Sequence, residues 1–148
     1  MANSTAMCTS FKGELLTATH NFTPSTGNTF KAALYFATGS LGAATTAYSA
    51  TNEVTNTVGT GYTAGGVTVT NANTPATSGT TAYWTPSASF SWSALTVTTA
   101  FDAVLIYNSS ASNKAVSVHN FGSQTVTAGT FTLTMPTNDA TTGLLRIA

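Results

Sequence analysis

Asp102-Ala103-Val104-Leu105-Ile106-Tyr107, then Asn108-Ser109-Ser110-Ala111-Ser112-Asn113, then Ala115-Val116-Ser117-Val118-His119-Asn120-Phe121: these three phrases decide the fold. The first is a continuous run of apolar β-formers behind one carboxylate, the pattern of a central strand covered on both faces. The second is made of turn-forming residues and the third returns to strand-forming residues, so together they predict a hairpin. Toward the C-terminus, Phe131-Thr132-Leu133-Thr134-Met135 alternates at period two, residues 136–143 read as a loop, and Leu144-Leu145-Arg146-Ile147 reads as a last strand. Toward the N-terminus, residues 81–85, 89–92 and 95–98 read as short strands, with Pro86 as a break because it cannot donate to a ladder. Val67-Thr68-Val69-Thr70 alternates cleanly. Residues 29–37 put Phe30, Ala32, Leu34 and Phe36 on one face and let Lys31 open the other.

This pattern predicts an all-β, single-domain β-sandwich or jelly roll of about seven to nine short strands. At most one or two short helical turns are expected. Residues 11–16 follow Ser10, a cap former, although Gly13 weakens a helix there. Residues 41–54, rich in Ala and Thr, read as a short helix or an irregular crossing. Residues 1–10 read as a flexible or partner-bound arm and residues 11–148 as the domain, with no linker inside it. The expected core rests on Phe30, Leu34, Phe36, Val104, Ile106, Val116, Val118, Phe131 and Leu133. A faint echo joins residues 63–70 to residues 127–134, each read as a glycine turn launching a strand.

Composition narrows the function. Of the 148 residues 42% are hydrophobic, as in ordinary globular domains, but only 5% are charged and the formal net charge is zero. A disordered chain needs low hydrophobicity and high net charge, so this one folds. Lys12, Lys31, Lys114 and Arg146 are too scattered to neutralise a run of phosphates, which sets nucleic acid aside, and the same shortage argues against anionic membranes and acidic substrates. Cys8 is the only cysteine, so an intramolecular disulfide framework is excluded. The start Met1-Ala2-Asn3-Ser4-Thr5-Ala6-Met7 lacks the basic and apolar blocks of a signal peptide, and no run approaches the roughly 20 apolar residues of a membrane span. The expectation is a protein made and assembled in a cytoplasm.

Candidate chemistry is sparse. His20 and His119 are distant in sequence, and a metal site would need a third ligand such as Cys8, Glu14 or Asp102, with no close ligand pair to nucleate it. His119 reads as a half-buried side chain bonded to backbone. No serine lies in a Gly-x-Ser-x-Gly elbow, and a triad of serine, His119 and Asp102 would rest on spatial coincidence. The four acids Glu14, Glu53, Asp102 and Asp139 are too separated to suggest a glycosidase pair. Gly59-Thr60-Gly61-Tyr62-Thr63-Ala64-Gly65-Gly66 leads into a strand and not a helix, so it reads as a turn and not as a phosphate loop. Tyr83, Trp84, Phe90 and Trp92 read as core, with a sugar-stacking platform as the competing reading. No catalytic, cofactor or metal residue is assigned.

Several phrases carry a resemblance. Residues 29–35, Thr45-Thr46-Ala47-Tyr48-Ser49-Ala50-Thr51-Asn52-Glu53-Val54, residues 59–66, Phe101-Asp102-Ala103-Val104-Leu105-Ile106-Tyr107-Asn108 through Val116, and Leu133-Thr134-Met135-Pro136-Thr137-Asn138-Asp139-Ala140 resemble a family of small virion structural proteins of tailed bacteriophages. Val58 lengthens a turn that is often tighter in such relatives. The resemblance implies a non-enzymatic virion protein, first of all a capsid decoration or cement protein bound to the major capsid protein or other virion proteins, with homo-oligomers possible. A tail, fibre or head-to-tail connector subunit is the second structural reading. A carbohydrate-binding module using Trp84 or Trp92 is the reading from a different class.

Overall fold

The hairpin read from residues 102–121 is the spine of a much longer ribbon. In the computed structural model, which describes residues 2–55 and 61–148, the elements are β1 (Ala6–Met7), α1 (Thr9–Leu16), β2 (Phe30–Phe36), β3 (Val67–Thr68), β4 (Ala76–Ser78), β5 (Thr81–Trp84), β6 (Phe90–Asn108), β7 (Lys114–Leu133) and β8 (Leu145–Ile147). They form two antiparallel sheets, β1-β7-β6-β2-β3 and β4-β5-β8, in a small all-β sandwich. The turn carrying Val58 lies outside the described residues.

β6 occupies the middle of the larger sheet, and every residue from 101 to 108 is buried. Ala32 faces Ile106 and Leu34 faces Val104 from β2, while Val118 faces Leu105 from β7. Packing on both sides explains why residues 102–107 dispense with alternation. The segments expected as separate strands at 89–92, 95–98 and 102–107 are one strand, and those at 115–121 and 131–135 also merge, with β7 ending at Leu133. What looked like breaks are bulges: the β6–β7 register shifts repeatedly between Trp92 and Ala103, and Ala94, Gly122 and Ala128 take positive φ. A bulge adds an unpaired residue and bends a strand without ending it.

The bends fold the ribbon over on itself. Phe121 and Phe131 lie on the same strand, ten residues apart, which in a straight strand is about 33 Å. Their ring centroids are 5.2 Å apart. Phe101 likewise packs edge-on against Phe131 at 5.0 Å, although the register partner of Phe131 is Trp92. The distal half of the ribbon therefore returns over the proximal half, and Trp92, Phe101, Phe121 and Phe131 fill the space between. The three-stranded sheet leans on the same core through Trp84, which packs against Phe22 at 4.7 Å and Phe30 at 6.2 Å.

Several expectations change. Residues 3–8, expected as a flexible or partner-bound arm, lie on the larger sheet: Ala6 faces Val118, Met7 faces Ser117, and Asn3 and Cys8 are buried. A two-residue strand is too short to register as alternation. The helix starts at Thr9, with Cys8 and not Ser10 in the capping position, and Ser10 Oγ is buried without a partner among the described residues. Residues 41–54 form an irregular crossing pinned by isolated bridges Tyr35–Glu53 and Ala47–Lys114. Of the expected core, Phe36, Phe131 and Leu133 are only half-buried, because they sit at strand ends or on the returning ribbon. The echoed segments also differ: residues 63–70 do turn into β3, whereas residues 127–134 run through the end of β7 with no launching turn.

Ile106 is fully buried at the centre of β6. Truncating it to Ala should lower the unfolding free energy by about 2 to 5 kcal/mol, whereas Leu133→Ala, at the half-buried ribbon end, should lose under about 2 kcal/mol. Urea unfolding of the two variants checks the order, and equal losses would contradict the placement of the core.

Candidate functional site

Four of the five tyrosines surround one carboxylate. Tyr35 comes from β2 and Tyr107 from β6, while Tyr48, Glu53 and Tyr62 come from the connections between β2 and β3. Glu53 is 1% exposed. The Tyr48 hydroxyl donates to its Oε2 at 2.6 Å, and its Oε1 accepts the Tyr62 hydroxyl at 2.8 Å and the Gly65 N–H at 2.6 Å. The cluster extends outward: Leu34 N–H donates to the Tyr62 oxygen at 3.0 Å, Tyr107 donates to the Gly65 carbonyl at 2.8 Å, and Tyr35 donates to the Ser49 carbonyl at 2.5 Å. Glycine is required at position 66, where φ is +73° and an added Cβ would sit 1.9 Å from the Ala32 carbonyl oxygen. Burial, reinforced by the Glu53 charge, pushes the Tyr107 phenol up to about 12 and raises Tyr35, Tyr48 and Tyr62 as well. These tyrosines are donors. Both oxygens of Glu53 face such donors, so the carboxylate binds the crossing to the sheet and has no free face for chemistry.

Glu14, His20 and Asp102 are used in the same way. Glu14 on α1 accepts His20 Nε2 at 2.7 Å and Lys114 Nζ at 2.6 Å. Burial raises its pKa, but the hydrogen bonds and charges of Lys114 and His20 outweigh that and hold it below its ordinary value. His20 Nδ1 meets the Asn108 amide nitrogen at 3.1 Å, which fits the tautomer carrying its proton on Nε2. Asp102 accepts amide N–H groups from Asn3 at 2.6 Å and Asn120 at 3.0 Å. Cys8 is buried, its thiol pushed up to about 11 by burial and then by Glu14.

The convergences that the sequence left open, and to which no residue was assigned, do not form among the described residues. His20 and His119 have separate partners, and among the described residues no three His, Cys, Asp or Glu side chains are grouped for a metal. Asp102 bonds asparagines and not His119. His119 Nε2 meets the Ser117 hydroxyl at 2.9 Å, a side-chain partner where a backbone one was expected. The two residues project from the same face of β7, two positions apart. Ser117 is 1% exposed, and among the described residues no carboxylate bonds the imidazole of the pair, so it lacks the accessible nucleophile and third member of a triad. Trp84 and Trp92 are each 3% exposed and packed among other rings, which removes the sugar-stacking platform. In the glycine-rich stretch, residues 59 and 60 lie outside the described residues, and Gly65 N–H does bind an anion, though one supplied by the chain itself. Sequence reasoning missed the Glu53 cluster. Its signal was an isolated acid among tyrosines in a chain almost without charge.

Two measurements probe these groups. Glu53→Ala orphans two buried donors, Tyr62 and the Gly65 N–H, and the half-buried Tyr48, and should lower the unfolding free energy by about 2 to 4 kcal/mol, with Glu53→Gln less damaging because it keeps the shape. His119 is lowered to about 4 by burial. Between its unfolded value of about 6.5 and that folded value, the unfolded chain takes up a proton the folded chain refuses, so stability present above pH 6.5 falls by up to about 3 kcal/mol as the pH drops toward 4. Urea midpoints across that range should show a slope that His119→Gln flattens. No family model, curated protein or solved structure matches this chain.

Proposed function

We propose that this chain is a non-enzymatic structural component of a tailed-phage virion, of the capsid decoration or cement kind, docked on the lattice of the major capsid protein. The observation that carries the reading is where the charges are. Glu14, Glu53 and Asp102 are tied into connections of the fold itself. The distal halves of β6 and β7, residues 90–101 and 120–133, contain no Asp, Glu, Lys or Arg at all. Their outward positions are Ser91, Ser93, Thr98, Thr125, Thr127 and Thr132, all exposed. Such a surface meets a partner through hydroxyl and backbone hydrogen bonds and desolvates few charges on docking. The sequence resemblance to virion proteins supports the same assignment. A tail, fibre or connector subunit shares these features and differs in copy number.

Purified particles test the reading. Decoration requires hundreds of copies per head, whereas a connector or fibre has a few to some tens, and absence from particles would overturn the assignment altogether. The neutral surface makes a second demand. Rebinding to stripped heads should stay nearly constant between about 50 mM and 500 mM salt, since screening has little to act on. Release of most copies by moderate salt would mean an electrostatic interface.

A further inference from the structure

The smaller sheet stops short. It has three strands against five in the larger one, and among the described residues no strand pairs with the outer side of β8. Along that edge lies a cleft of about 200 Å³, walled by Leu144 and Arg146 on the β8 side and by Thr5, Met7, Ser117 and His119 from the region of β1 and β7.

The β4–β5 turn determines which backbone groups face this edge. Ser78 pairs with Thr81 across the two-residue loop Gly79-Thr80, and Gly79 has φ +57°, the first central position of a type II′ turn. The closing pair of such a hairpin exchanges both hydrogen bonds, so Thr81 and then Tyr83 direct their N–H and C=O to β4, while Ala82 and Trp84 direct theirs to β8. Ala82 faces Ile147 and Trp84 faces Leu145. The N–H and C=O of Arg146 between them therefore point away from the sheet.

We propose that this edge receives an extended segment of a partner chain, which pairs with Arg146 and becomes the fourth strand of the small sheet. An outward backbone donor and acceptor on a strand edge are complementary to another extended backbone, and this is what names the occupant. The cleft sets its side chains. An inward residue meets the Thr5 side chain and the ring of His119, and Arg146 brings the charge present in the lining, so that residue is not a cation. The neighbouring outward position lies beside the guanidinium of Arg146, which is exposed and anchored to the Thr141 carbonyl, and there a carboxylate is accommodated. In the particle the segment belongs to the capsid protein, a clause that rests on the virion reading above.

Rebinding to stripped heads separates the two ideas. Arg146→Pro removes the outward N–H while sparing the bonds that Leu145 and Ile147 make to β5, a change an edge strand tolerates. Arg146→Ala keeps the N–H and removes the side chain. Thr5→Trp, at an exposed position lining the cleft, blocks it without touching β8 and serves if the proline variant fails to fold. Folding of each variant is checked by thermal unfolding. The proposal expects roughly tenfold weaker rebinding for Arg146→Pro and for Thr5→Trp, the effect of one buried hydrogen bond left unmade, and near-native rebinding for Arg146→Ala. Native rebinding by folded Arg146→Pro or by Thr5→Trp overturns the strand site and leaves the virion reading standing. Equal loss in Arg146→Ala means a side-chain contact and also overturns it. A native chain that self-associates, with Arg146→Pro monomeric, makes a second copy the occupant and overturns the capsid segment. Failure of the native chain to rebind overturns the virion reading and the capsid segment together.

Discussion

The pairing of β6 with β7 is the constraint on which the rest of the structure depends. It joins 19 residues to 20 through a single short connection, and its proximal half places the fully buried run of residues 101–108 at the centre of the larger sheet. Its bulges then bend the ribbon until Phe101 and Phe121 meet Phe131. One hairpin thus supplies the central strands and much of the cover over them. This is an economical way to enclose a core in a chain of this size, because neighbouring strands are joined by local turns and loop closure between them costs little entropy. The other elements attach to it: β2 along the open side of β6, β1 along β7, and the three-stranded sheet through Trp84.

Burial of carboxylates without matching cations is the second organising feature. A buried charge is tolerated only when its hydrogen-bonding capacity is met. Glu53 meets it with two phenols and an N–H, and Asp102 with two asparagine amides. Each arrangement joins a segment without regular structure to a strand. The Glu53 cluster clamps the connections between β2 and β3 over the sheet, and Asp102 clamps the N-terminal residues beside β7. Glu14 does the same for the loop after α1, there with Lys114 as a true ion pair. In a chain with four acids, three are committed to holding connections in place.

That commitment bears on function. A reaction centre needs ionisable groups with a free face and a route to solvent. Here the groups best placed by burial are saturated from within, and the faces left to solvent carry hydroxyls. The chemistry available at the surface is that of shape, neutral hydrogen bonds and, among the described residues, the unpaired outer edges of β1, β3, β4 and β8. Under the proposed docking role the low charge content has a reason, since every surface charge buried on docking would need a partner of its own.

Much of this was legible in the order of residues. The central strand, the hairpin after it, the all-β class and six of the core positions follow from runs and alternation, because burial on one or both faces imposes a period directly on the sequence. The length of β6 and β7 was not legible: a bulge at Ala94 or Ala128 breaks the period just as a turn does, and only the continued pairing across it tells the two apart. The seating of residues 3–8 was hidden for a similar reason, since two paired residues carry too little pattern. Glu53 is the clearest case of what tertiary structure alone decided. Its donors lie at positions 48, 62 and 65, and the phenols around them reach from 35 to 107, so nothing local marks that carboxylate as the centre of a network. Sequence periodicity records which residues leave water; which buried polar groups find one another depends on how the connections are laid across the sheet.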